Sequence, residues 1–274
     1  MTVDNKRRSA IGIFDSGIGG LTVAREVMRL LPNENIVYFG DTARVPYGSK
    51  SKDTIIRYSR QIIRFLQTKD VKAIVIACNT ASALALDVVS KEVDIPVIGV
   101  VIPGARAAVE ATDTKKVGVV ATEATINSEI YTDVIQSTDY NICVRGKACP
   151  LFVPIVEEGF AKHKIAEDVI DYYLSEIKHS DVDTLILGCT HYPLLRTKIR
   201  EYLGDKIHLV NPAYETAWDL KRLLEDNNIR NDGSISEVKH AFYVSDLAER
   251  FQDFANTILP YDILSTEKIN IEEY

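Results

Sequence analysis

The chain has 274 residues but only four cysteines, Cys78, Cys143, Cys149 and Cys189, and no C-x-x-C pair. Thiols this sparse and scattered indicate neither a disulfide framework nor a thioredoxin-type motif. Cys189-Thr190-His191 has the wrong spacing for a structural zinc pair, so no metal is expected. No apolar run approaches the roughly 20 residues of a membrane span. The opening MTVDNKRRSA lacks the hydrophobic segment of a signal peptide, which makes the cytoplasm the expected compartment. Basic charge is also in short supply. The 32 Lys and Arg against 39 Asp and Glu leave a net charge of −7. That argues against nucleic acid or an anionic membrane as the main partner, since affinity for either rests on basic surface. The tract Lys6-Arg7-Arg8 reads as a solvated tail.

What is present is a chain that is 46% hydrophobic and 26% charged, enough for one large or two ordinary domains. Two stretches organise it: KAIVIACNTA, Lys72 to Ala81, and TLILGCTHYP, Thr184 to Pro193. Each is an aliphatic run without alternation, the pattern of a strand buried on both faces of a parallel sheet. Each ends on a small residue, a cysteine and a polar pair. Ligands bind at the carboxyl ends of strands in open α/β sheets. A cysteine at that tip, just before a helix N-terminus, meets backbone N–H groups and a dipole end that favour thiolate.

The order of elements repeats. Strands at Ile11–Phe14, Asn35–Gly40, Lys72–Ala77 and Val97–Val101 alternate with helices. They are followed by strands at Lys116–Ala121, Ile142–Arg145, Thr184–Gly188 and His208–Val210, again alternating with helices. Setting Ile11 against Val117, Cys78 against Cys189 and Pro103 against Pro212 gives offsets of 106, 111 and 109 residues. Offsets this constant indicate an internal duplication with a period too long for a solenoid. The expected fold is α/β: two pseudo-symmetric open, mainly parallel sheet domains with the active site in the cleft between them. The first comprises residues 1–99 plus 210–274 and carries Asp15 and Cys78. The second comprises residues 100–209 and carries Cys189 and His191. Pseudo-symmetry places the two cysteines on opposite walls of that cleft.

Buried structural roles are the expectation for Cys143 and Cys149, because free cysteine is among the most buried residue types. Asp15 ends the first strand of the half that holds Cys78, where a carboxylate can accept a thiol proton or serve as a helix cap. The loop Asp15-Ser16-Gly17-Ile18-Gly19-Gly20 invites a dinucleotide reading, but Thr22 occupies the third glycine position of G-x-G-x-x-G. No lysine suggests a Schiff base, and no cofactor signature offers an electron sink.

FDSGIGG, VPYGSK, ACNTAS and GCTHYP, in that order and spacing, resemble the glutamate racemases of the cofactor-independent aspartate/glutamate racemase family, over Ile11 to about Phe254. The resemblance implies L-/D-glutamate interconversion with no cofactor, supplying D-glutamate for peptidoglycan, in a cytoplasmic homodimer with neither nucleic acid nor membrane as partner. It implies Cys78 and Cys189 as bases on opposite faces of the substrate Cα, assisted by Asp15 and His191 respectively. It further implies substrate contacts from Asp15, Ser16, Tyr47, Gly48, Asn79, Thr80, Thr190 and His191, with Thr122 and Thr125 as further contributors. A supporting glutamate lies in PLFVPIVEEG, where Glu157 matches better than Glu158. A racemase for aspartate or another amino acid, a non-catalytic amino-acid-binding module and a thiol-redox protein are the competing readings.

Overall fold

The structure, a computed structural model, describes residues 3–233, 235, 238–263 and 265–274. Met1 and Thr2 of the expected leader, and Ser234, Ser236, Glu237 and Leu264 of the expected first domain, lie outside the described residues. Among the described residues ten strands form in chain order: β1 (Ala10–Asp15), β2 (Ile36–Gly40), β3 (Val71–Ile76), β4 (Val97–Gly99), β5 (Lys116–Ala121), β6 (Cys143–Ala148), β7 (Thr184–Gly188), β8 (His208–Val210), β9 (His240–Val244) and β10 (Glu267–Lys268). They make two sheets, ordered β10-β9-β2-β1-β3-β4 and β6-β5-β7-β8. Every pairing is parallel.

The duplication is visible in that order. The run β2-β1-β3-β4 of the first sheet matches β6-β5-β7-β8 of the second, strand for strand. The C-terminal stretch returns to the first sheet, where β9 pairs with β2 from Ile36↔His240 to Gly40↔Val244. The unbroken aliphatic strands are covered on both faces, as their lack of alternation requires. In the first sheet, helices Leu21–Leu30, Pro212–Asp226 and Ala248–Ile258 pack on one face, and helices Lys52–Gln67 and Asn79–Val89 on the other. In the second, helices Lys164–Lys178 and Arg196–Leu203 pack on one face, and Val101–Ala111 and Ile130–Thr138 on the other.

Three expectations are corrected. The strand expected over Val97–Val101 stops at Gly99, and Pro103-Gly104 lies inside the helix Val101–Ala111. Proline is tolerated in a first turn, where its missing N–H has no intrahelical partner to lose. Gly104 admits the helix Pro212–Asp226 at close range, since an added Cβ would stand 2.9 Å from Pro212 Cγ. Second, the basic tract is not simply a solvated tail. It ends a helix, Val3–Arg8, and Arg7 reaches the Asn228 side chain at 2.5 Å and Asp232 at 3.2 Å. Beneath it, the buried Lys72 ammonium donates to Arg7 O and pairs with buried Glu34. Third, Cys143 is exposed; Cys149 is buried as expected. The strand bearing Cys143 lies at the edge of its sheet, where one side has no strand neighbour.

Candidate active site

A cavity of about 240 Å³ opens between the two sheets at the carboxyl ends of their strands. The segments that follow β1, β2 and β3 supply Ser16, Tyr47, Gly48, Cys78, Asn79 and Thr80. Those that follow β5, β6 and β7 supply Thr122, Glu157, Cys189, Thr190 and His191. Corresponding loops of the two repeats thus face each other, and Cys78 and Cys189 line the same cavity from different halves. Asp15 and Thr125, also expected at the site, are not in its lining. Asp15 is wholly buried beneath the β1 loop, and Thr125 sits behind Thr80 and Thr122.

The glycine-rich loop exists for close packing. A Cβ on Gly19 would collide with Thr190 and the His191 ring, so this position lets the loop press against the segment that holds Cys189. Thr22 Oγ1 seals the contact by donating to Thr190 O at 2.9 Å. Asp15 accepts from the Gly17 N–H at 2.9 Å and from Thr190 Oγ1 at 3.3 Å. The carboxylate therefore bridges the two halves, and no hydrogen bond links it to Cys78. Burial raises its pKa, partly offset by the positive charge of His191 and the hydrogen bonds from Gly17 and Thr190.

The two thiols have different surroundings. Cys78 caps the helix Asn79–Val89, and its Sγ lies 3.6 Å from the Ser16 hydroxyl. Burial, and then the charge of Asp15, push its pKa up to about 12, outweighing what the helix N-terminus contributes. The expectation that this position favours thiolate is thus reversed for Cys78 in the free protein. Cys189 Sγ lies 3.7 Å from His191 Nδ1, while His191 Nε2 meets Glu157 Oε1 at 2.9 Å. Burial opposes a charge on His191, but its hydrogen bonds to Cys189 and Glu157 prevail and raise it to about 10. Burial likewise works against the Glu157 charge, and the bond to His191 holds that carboxyl below its usual range. The imidazolium, held between a carboxylate and a sulfur, puts a positive charge directly beside Cys189 Sγ. Glu158, the alternative in sequence, faces outward and pairs with Arg250.

The remaining expected residues support the cavity. The Tyr47 hydroxyl donates to buried Asp41 at 2.5 Å, which leaves no phenol proton for a ligand. Asp41 also accepts from Ser245 and pairs with Arg44, fixing the loop that carries Tyr47. Thr80, on the first half, meets Thr122 at 2.9 Å on the second. Sequence reasoning passed over Gly17, Val45, Pro46, Val153 and Pro154, which also line the cavity. The signal was present: all lie inside the motifs that were singled out, beside the residues that were named.

Comparison with known proteins identifies the family. The family model for Asp/Glu/Hydantoin racemases matches residues 19–220. The chain belongs to that racemase family. A curated glutamate racemase of Geobacter metallireducens is 44% identical over 263 residues, covering 96% of this chain and 97% of that protein. Among solved structures, a Bacillus anthracis glutamate racemase superposes with a TM-score of 0.92 at 38% identity, covering 96% of this chain and 98% of the other. A Francisella tularensis glutamate racemase in complex with D-glutamate has a TM-score of 0.91 at 40% identity, covering 98% and 100%. The Asp/Glu/hydantoin racemase fold thus extends over nearly the whole chain, and no helix among the described residues is long and apolar enough to cross a membrane.

Proposed function

We propose that this racemase interconverts L- and D-glutamate by proton transfer at Cα between Cys78 and Cys189. The observation that carries this reading is the pair of cysteines lining one small cavity from the two repeats, each with its own distinct set of neighbours. Glutamate as substrate is supported by the relatives named glutamate racemase and by the D-glutamate held in the Francisella protein.

The α-proton of an amino acid is a very weak acid, so placement and electrostatics must lower the barrier. In one direction the Cys189 thiolate takes the proton from one face of Cα, and the C–H electron pair stays on carbon. The Cys78 thiol then gives its proton to the opposite face, leaving Cα inverted, Cys189 as thiol and Cys78 as thiolate. The opposite enantiomer is processed with the roles exchanged. A Cys78 thiolate is costly in the free protein: a rise from 9.0 to about 12 corresponds to about 4 kcal/mol. The positive α-ammonium of an amino acid, seated beside Cys78 above the buried Asp15, offsets that cost by the attraction of opposite charges.

His191, kept positive by Glu157, offers a counter-charge to the sulfur of Cys189 when that sulfur carries negative charge. Asp15 acts by bridging to Thr190 and by its charge, without touching Cys78. Ser16, Asn79, Thr80 and Thr122 supply hydroxyl and amide donors for the substrate carboxylates, while Thr190, whose hydroxyl is committed to Asp15, and Tyr47-Gly48 offer their backbone. Thr125 supports Thr80 and Thr122 from behind. The domain division we propose puts residues 1–99 plus 210–274 in one domain and 100–209 in the other; sheet membership supports it except at Val210, which ends β8 of the second sheet. We place the enzyme in the cytoplasm as a homodimer that supplies D-glutamate for peptidoglycan.

Chiral chromatography of purified protein incubated with L-glutamate, without added cofactor, tests the reading. D-glutamate is the expected product, with aspartate turned over far more slowly. Rapid racemisation of aspartate with glutamate untouched would overturn the substrate assignment.

A further inference from the structure

Tyr131 belongs to no motif, yet it touches both cysteine-bearing segments. It lies at the start of the helix Ile130–Thr138 in the second half and is 3% exposed. Its hydroxyl crosses to the first half and donates to Asn79 Oδ1 at 2.7 Å. Its ring packs beneath the tip of β7, where a Cβ on Gly188 would stand 3.3 Å from Tyr131 Cε2. Asn79 directly follows Cys78 and lines the cavity. Gly188 directly precedes Cys189.

Asparagine offers an oxygen that only accepts and an amino group that only donates, on opposite sides of one planar amide. With Oδ1 occupied by Tyr131, Nδ2 is turned the other way. Nδ2 has no protein partner among the described residues, and it is not one of the sealed interior atoms left without one. Asn79 itself lines the active-site cavity and a small cavity beside it, so the amino group is open to at least one of them. Burial pushes Tyr131 ionisation far above the ordinary tyrosine value, with the Cys189 charge adding to it, so the hydroxyl keeps its proton.

We propose that Tyr131 is a positioning residue: it locks the Asn79 amide with its N–H donors facing a substrate carboxylate, and it sets the Cys78-Asn79 segment against the strand tip that holds Cys189. This rests on the amino-acid racemase reading given above. A carboxylate can only accept, so a reversed amide would place two oxygens in opposition and weaken binding. Because the hydroxyl and its acceptor lie on different repeats, the orientation is set only when the two halves are together.

The test is Tyr131→Phe, which keeps the ring against Gly188 and removes the hydroxyl. The expected result is a roughly tenfold loss of kcat/KM for both L- and D-glutamate, carried mainly by KM. In an Asn79→Ala background the same substitution should cost less than about twofold, because no amide is left to orient. Unchanged constants in Tyr131→Phe would overturn the proposal. So would an equal tenfold loss in the Asn79→Ala background, which would mark Tyr131 as merely structural. Failure of the unsubstituted protein to racemise glutamate would instead retire the reading on which the proposal rests.

Discussion

Replacing Glu157 by Gln separates the charge of the Glu157–His191 pair from its shape. The pair is a 2.9 Å contact between side chains 26% and 6% exposed, so solvent screens it little. A hydrogen bond to a charged group contributes about 1.5–3 kcal/mol, and 1.36 kcal/mol corresponds to one pKa unit. Gln keeps an acceptor but no charge, so His191 should fall from about 10 to roughly 8–9. The sign follows from the direction of the shift. A histidine raised by its partners is fully effective below its unfolded value of 6.5 and loses its contribution as pH climbs through about 10. Near neutral pH the variant therefore keeps its imidazolium, and kcat should fall only several-fold. Nearer pH 9 the loss should exceed about tenfold, because the alkaline limb has moved down. The assay is kcat against pH in each direction, with Glu158→Gln as control, since Glu158 pairs with Arg250 on the surface. A Glu157→Gln profile lower at every pH, with the alkaline limb unmoved, would refute the electrostatic role assigned to Glu157.

Two further outcomes follow from burial and charge. Brief iodoacetamide treatment near neutral pH, read by peptide mass spectrometry, should label exposed Cys143 and the His191-paired Cys189. Cys78 and Cys149, both pushed up to about 12, should stay unmodified; faster labelling of Cys78 than Cys189 would contradict the assigned resting states. Lys72→Met should cost roughly 3–5 kcal/mol in denaturant unfolding, because it leaves Glu34 buried without its counter-charge. A loss below about 1 kcal/mol would mean that water or another group compensates.

The eight strands of the two repeats, their order of appearance and the duplication were legible, most plainly where buried parallel strands carry uniform aliphatic runs that end in abrupt polar tips; the short, exposed β10 gave no such signal. Cys78 and Cys189 could be paired from the offset alone. Pro103-Gly104 was harder to read: proline and glycine punctuate loops locally, yet here they start a helix that the neighbouring helix Pro212–Asp226 needs at close range. The protonation of Cys78 was also out of reach. A helix N-terminus favours thiolate by local rules, whereas burial beside Asp15 is a tertiary fact and outweighs it. Glu157 and Glu158 are adjacent in sequence, and only the fold turns one toward His191 and the other toward Arg250. Arg7 looked solvated because its partners lie some 220 residues away. Tyr131 left no signal at all, since its significance is a single hydroxyl meeting a residue of the other repeat.

The central claim is that two sulfurs act on one carbon, and the most direct measurement is the rate of L-/D-glutamate interconversion by folded Cys78→Ala and Cys189→Ala variants. Each lacks one of the two proton carriers, so each should fall at least about a hundredfold in both directions. Racemisation within about tenfold of the unsubstituted protein, in either variant, would contradict it.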